Sequence, residues 1–353
     1  MNTYERFKLT YEHKEADRVP IIDNPWNGTV KRWIDEGMPA DADWRDFFEV
    51  DKIAHVGIDI SPRFEEKVVE ETDRYKIIAT SYGATLKLFN ELDATPEFLD
   101  FSITDAKAWQ IAKERMEKLD DDRIPWQTLK DNYSKWRAEG QWIRAAFHFG
   151  FDVTHSQLMG TETVLMTMID EPELLMDIFD TYLTSCETLF GRIWDAGYKF
   201  DEIMWWDDMG YKGTTFFSPQ MYRDILKPYH KRAVEWAHNR GVYAHLHSCG
   251  NIMSLIPDII DTGVDVLNPL EIKAGMDPIK LKEDYGDVLT LHGGINAALY
   301  HDTDLVIEQV EQLVPKLKEN GGYVFASDHS IPNSCSLETM KRIVETAKKV
   351  GSY

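Results

Sequence analysis

The chain has 353 residues, 43% hydrophobic and 28% charged, with 39 Lys and Arg against 61 Asp and Glu and a formal net charge of −22. That composition excludes disorder as the dominant state, and the negative charge excludes broad contact with DNA or RNA, which depends on neutralising phosphates with Lys and Arg. The length suits one large barrel or two modest domains.

The opening MNTYERFKLTYEHKEADRVPII lacks an apolar signal-peptide core, and no apolar run is long enough to span a bilayer. A cytoplasmic location is therefore expected, with no membrane contact and with small molecules or proteins as partners. The three cysteines, Cys186, Cys249 and Cys335, are odd in number and widely spaced. This argues against a disulfide framework and leaves catalysis or metal binding as the uses of a thiol.

In chain order, RVPII reads as a first strand that ends at Asp23 and Asn24, with Trp26 just beyond. Residues 61–100 alternate polar and apolar side chains around a YG pair, as an antiparallel excursion does. No Ser-rich linker or low-complexity tract separates this stretch from the rest, so residues 1–353 are expected to form a single domain carrying an insertion. GQWIRAAFHFG is a further strand ending at His148, and LLMDIFDTYLTSCETLF is a helix that takes Cys186 into the core.

The second half has a clear rhythm, in which WAHNRG leads into VYAHLH, IIDTG into VDVLNP, EDYGD into VLTLHGG, and KLKENGG into YVFASD. Each helical run closes on Gly, which supplies the left-handed residue of a helix end, and each apolar run suits a strand buried on both faces. AGYKFDEIMWWDDMG repeats the pattern upstream. The predicted fold is α/β, a single (β/α)8 TIM-type barrel with an N-terminal antiparallel β insertion. An open doubly wound sheet competes, but no GxGxxG turn follows an early strand.

Barrel chemistry sits at the C-terminal ends of the strands. The polar residues there are Asp23, His148, Asp207, Asp208, His247, Cys249, Glu271, His292, Asp328 and His329. In HLHSCGNI, His245, His247 and Cys249 are two apart and share one face of a strand. Zinc takes imidazole nitrogen and thiolate sulfur, yet a buried Cys also packs as a small hydrophobe, and both readings of the motif stand on these residues alone. In MWWDDMGY, alternation turns inward either Trp205 with Asp207 or Trp206 with Asp208, and an inward Trp walls a site for a planar substrate. Trp142, Phe147 and Phe149 are further aromatic candidates for that wall.

The series LKPYHKRAVEWAHNRGVYAHLHSCGNI, GVDVLNPLE, YGDVLTLHGGIN and FASDHSIP, with DVTHSQLMGTETVL upstream, resembles the uroporphyrinogen decarboxylase superfamily over nearly the whole chain. Within it, the H-x-C element is similar to the zinc site of the corrinoid-dependent methyltransferases, which move methyl groups between a substrate and a separate cobalamin-carrying protein. The arginine-rich RQAGR segment of the decarboxylases is missing; after RVPII the chain reads DNPWNGT. The resemblance implies His247, Cys249 and His329 as metal ligands, with Cys335 as the alternative third. A His in place of the family's Cys makes the zinc a stronger Lewis acid, suited to polarising an ether oxygen.

What the resemblance implies is a zinc-dependent transfer of methyl from a small methoxylated, aromatic substrate to a separate corrinoid protein. Asp207, Asp208, Glu271 and His292 are the expected catalytic groups. Asp23, Asn24, Trp26, His148, Trp205, Trp206, Asn268 and Asp328 are the expected substrate contacts. Transfer from a methyl-corrinoid to a thiol, and decarboxylation of an aromatic or pyrrole acid, are the alternatives. The number of copies, a homodimer included, is left open.

Overall fold

The computed structural model describes residues 1–90 and 95–353. Residues 91–94 of the expected excursion lie outside the described residues. In chain order the strands are β1 (Ile53–Val56), β2 (Lys67–Glu71), β3 (Tyr75–Ala79), β4 (Ala84–Phe89), β5 (Glu97–Phe101), β6 (Trp142–His148) and β7 (Glu202–Trp206). A short hairpin of β8 (Gly210–Tyr211) and β9 (Thr214–Thr215) precedes β10 (Tyr243–His247), β11 (Val266–Asn268), β12 (Thr290–His292) and β13 (Tyr323–Val324).

Seven strands pair in one sheet in the order β1-β6-β7-β10-β11-β12-β13, every pair parallel. Residues 18–22, the RVPII stretch, close the ring. Phe325 N donates to Pro20 O at 2.9 Å and Ile22 N to Phe325 O at 3.1 Å on one side, while Asp51 N donates to Ile21 O at 2.9 Å on the other. The barrel is thus TIM-type, with this segment as its eighth stave. β2 to β5 form the antiparallel sheet of the insertion. The strand missed by sequence reading is β1, whose IAHV is too short to show a period.

Helix ends follow the glycine rule with one exception. Gly241, Gly263 and Gly321 sit at φ of +67°, +87° and +74°. Gly286 is right-handed, at φ −61°. A side chain there would instead meet the Lys282 carbonyl oxygen, 2.4 Å from an ideal Cβ.

Inward-facing residues stack in three layers. At the bottom, Phe7 and Tyr11 of the helix Thr3–Tyr11 plug the barrel against Ile53, Trp142, Val266 and Val324. Trp142, a candidate for the aromatic wall, belongs to this plug, its ring stacked on Phe7 at 5.5 Å. The middle layer is ionic: Arg144 Nε donates to Glu202, Tyr11 Oη donates to the other Glu202 oxygen at 2.7 Å, and His245 Nδ1 lies 3.5 Å from it. The top layer opens into a cavity.

Burial alone would raise the Glu202 carboxyl, but Arg144, His245 and Tyr11 outweigh it and hold it well below the usual range. The stabilisation is therefore present at neutral pH and is lost only as pH falls below the ordinary carboxylate range toward the lowered folded value. Glu202→Ala would leave the Arg144 guanidinium buried and unpaired. Urea unfolding at pH 7 is expected to show a loss of about 3–5 kcal/mol.

Candidate metal centre and active site

The β7 end settles its alternation in favour of Trp206 and Asp208, which both line the cavity. Trp205 and Asp207 face the helices instead. Trp205 is fully buried beside Phe147, with ring centroids 6.3 Å apart, and Phe147 in turn packs on Phe190. Phe149 is also fully buried, against Phe179. Asp207 accepts from Asp152 N at 2.9 Å and pairs with His230 Nε2 at 2.8 Å, and His230 Nδ1 meets Tyr222 Oη at 2.9 Å. Burial pushes the Asp207 carboxyl up to about 6 against the pull of His230. It ties strand to helix and does not reach the cavity.

Asp208, His247 and Cys249 bring one donor atom each to within 4.8 Å of one another. His247 Nε2 lies 3.4 Å from Cys249 Sγ and 3.6 Å from Asp208 Oδ1. Donors of a tetrahedral zinc ion, at 2.0–2.3 Å from the metal, stand about 3.4–3.6 Å apart, and both separations from His247 Nε2 match that spacing. His247 Nδ1 faces Asn268 Oδ1 at 2.7 Å, which holds the proton on Nδ1 and leaves the Nε2 lone pair for a metal. Asn268, expected to touch substrate, lines the cavity and also orients His247.

Backbone contacts brace the donors. Cys249 N donates to Asp208 Oδ1 at 2.7 Å and Gly250 N to Glu271 Oε2 at 2.7 Å. Gly250 has φ +80°, and a Cβ on it would fall 2.2 Å from the Gly210 carbonyl carbon, so glycine alone allows this approach. Burial, with the nearby carboxylates of Asp208, Glu271 and Asp152, pushes the Cys249 thiol well up. Burial likewise raises Asp208.

The other expected ligands stand apart. His329 is on the cavity wall, its ring 6.4 Å from that of Trp26, but outside the group of Asp208, His247 and Cys249. Asp208, expected as an acid, is the third member of the group that could hold an ion. Cys335 is buried before the helix Leu337–Val350, its thiol 3.6 Å from Ser336 O and its carbonyl accepting from Trp33. Burial pushes that thiol up to about 12.

The cavity encloses about 460 Å³ and is walled by Trp26, Trp44, Trp206, Met204 and Pro269. Asp23 and Asn24 line it. Asp23 accepts from Ser327, and burial raises its carboxyl to about 6. His148 is exposed at the rim, stacked on Trp206 at 4.8 Å. His292 lines the floor. Asp328 is fully buried and accepts from Ile272 N and Ala297 N, clamping two loops and leaving substrate to others. Glu271 holds Gly250 and pairs with Lys273 at 3.4 Å.

Two floor residues escaped sequence reading. Arg144 sits mid-strand, away from the strand ends that were searched. His55 lies on the missed β1, in register with Arg144, and lines the cavity with an exposed side chain. Burial, then Arg144, pushes His55 down to about 4.

A TIM-type barrel with a His, Cys and Asp donor set at its strand ends defines the class. The sequence model described as uroporphyrinogen decarboxylase (URO-D) matches residues 113–350, and the chain belongs to that family. Among solved structures, a methyltransferase from Methanosarcina mazei is similar over 99% of both chains, at 16% identity and a TM-score of 0.65, a likeness of fold. A 3-keto-D-glucoside 4-epimerase from E. coli shares 10% identity over 68% of this chain and 93% of its own, at a TM-score of 0.34. No curated protein matches the chain by sequence. Among the described residues, no helix is long and apolar enough to cross a membrane.

Metal analysis by plasma mass spectrometry is expected to find about one zinc per chain, lost in Cys249→Ser, His247→Ala and Asp208→Ala and kept in Cys335→Ser and His329→Ala. Because the raised Cys249 thiol must release its proton on binding, affinity should rise with pH. Chelator competition from pH 6 to pH 8 is expected to show a gain of roughly tenfold per unit.

Proposed function

We propose that the protein is a zinc-dependent methyltransferase that takes methyl from a methoxylated aromatic compound and passes it to a corrinoid carried by a separate protein. The observation that carries this reading is the donor set of Asp208, His247 and Cys249, spaced for a tetrahedral ion at the edge of a tryptophan-walled cavity. Family membership and the fold shared with a methyltransferase support it.

Zinc held there would supply Lewis acidity to the ether oxygen, whose departure as phenolate is the difficult part of the reaction. The chain's own groups do the rest. Asn268 fixes the His247 ring, and the backbone amide of Cys249 holds Asp208. Trp206 and Trp26 offer flat apolar faces to an aromatic ring and exclude water from it. Glu271, beside the centre, accepts from Gly250 N and pairs with Lys273, which braces the loop that carries Cys249.

The test is incubation of the zinc-loaded chain with a methoxyarene and free cob(I)alamin, followed by the visible spectrum of methylcobalamin. Product should form with wild type and fall at least about a hundredfold in Cys249→Ser. Full activity in that variant would overturn the zinc mechanism. A decarboxylase is the second reading, favoured by the family itself; carbon dioxide released from an aromatic acid by metal-free Cys249→Ser would establish it.

A further inference from the structure

The middle layer of the barrel carries polar atoms that the metal centre does not use. Arg144 is 5% exposed and lines the cavity floor; its Nε is taken by Glu202 and its Nη2 lies 3.5 Å from His245. Its Nη1 makes no hydrogen bond among the described residues. His292, 4% exposed, also lines the floor, and its Nδ1 has no partner, nor has Nε2 of the fully buried His245. Buried imidazole nitrogens left unpaired are costly, and they invite a polar group of a ligand. His55 completes the floor beside Arg144.

The chemistry of the missing group follows from what the layer lacks. Both Glu202 oxygens are engaged, by Arg144 on one side and by Tyr11 and His245 on the other. The remaining carboxylates near the floor are engaged as well, Asp51 by Arg6 and Arg18, Asp23 by Ser327. A guanidinium can only donate, so the group that fits is an acceptor, and a carboxylate makes the strongest bonds to it. His245 and His247 are two residues apart on β10, about 6.6 Å at 3.3 Å per residue. The floor and the metal donors line one cavity of about 460 Å³, which has room for an aromatic ring with a substituent at each end.

We propose that Arg144, His55 and His292 form a carboxylate subsite, which holds the acid group of an aromatic substrate whose other end meets Asp208, His247 and Cys249. The identity of that other end rests on the methyl-transfer reading; the carboxylate subsite does not.

Calorimetric titration of the purified chain with 4-methoxybenzoate, 4-methoxybenzyl alcohol and benzoate tests it. The acid is expected to bind at least about tenfold tighter than the alcohol, as a charge-assisted contact would give. That preference should shrink severalfold in His55→Ala and His292→Ala, with the affinity for the alcohol kept. Should His292→Ala not fold, His55→Ala decides, since its ring lies on the cavity surface. Equal binding of acid and alcohol, a preference untouched by the variants, or no binding of any probe would overturn the subsite. Benzoate binding as tightly as 4-methoxybenzoate, with the preference over the alcohol intact, would support the subsite and count against the methoxy reading alone.

Discussion

The buried pair of Arg144 and Glu202 marks the level at which the barrel changes character. Below it lies an apolar plug built from the N-terminal helix; above it lies a polar cavity. Two charges at that depth stay because they pair with each other and Glu202 is bonded again by Tyr11, the last residue of the plugging helix. A single hydroxyl thus links the seal of the barrel to the floor of the site. Replacing the pair by apolar side chains would cost little in stability by itself. Its use is to keep a cavity floor polar in the middle of a protein.

The grouping of Asp208, His247 and Cys249 depends on a different constraint, the two-residue alternation of strands β7 and β10. Trp206 and Asp208 face inward together, as do His245, His247 and Cys249, and the same periodicity sends Trp205 and Asp207 to the helix layer. The strand ends are then laced by backbone bonds: Asp207 N to His247 O, Cys249 N to Asp208 and Gly210 N to Cys249 O. Donors carried on two neighbouring strands are held with less freedom than donors on separate loops, which matters for a site whose spacing must match an ion to a few tenths of an ångström.

Much of this was legible in the chain. Gly-ended helices alternating with apolar runs announced the parallel barrel, and the alternation in HLHSCGNI put an imidazole and a thiol side by side. The family's motifs in the second half fall within the matched residues 113–350. The site was less legible. Asp207 and Asp208 are chemically identical neighbours, and only the direction of the chain past Trp206 sends one to the cavity and the other to His230. His329 was implied as third ligand because the family's Cys aligns with it, whereas the loop sets it on the cavity wall beside Trp26, outside the group of Asp208, His247 and Cys249. Cys335 carries the right atom and lies in the core.

The sequence by itself determined the parallel β/α rhythm, the antiparallel insertion and the presence of sulfur and nitrogen donors at one strand end, because these follow from local periodicity and turn chemistry. Only the tertiary structure decided that Asp208 completes the donor set, that Asn268 orients His247 and that His55, Arg144 and His292 share one floor. Those relations join residues from six different strands or their ends, and the closing of the ring between residues 18–22 and Phe325 sets the distances across the barrel. Such distances depend on how the strands tilt and close, a property of the whole sheet that no local stretch encodes.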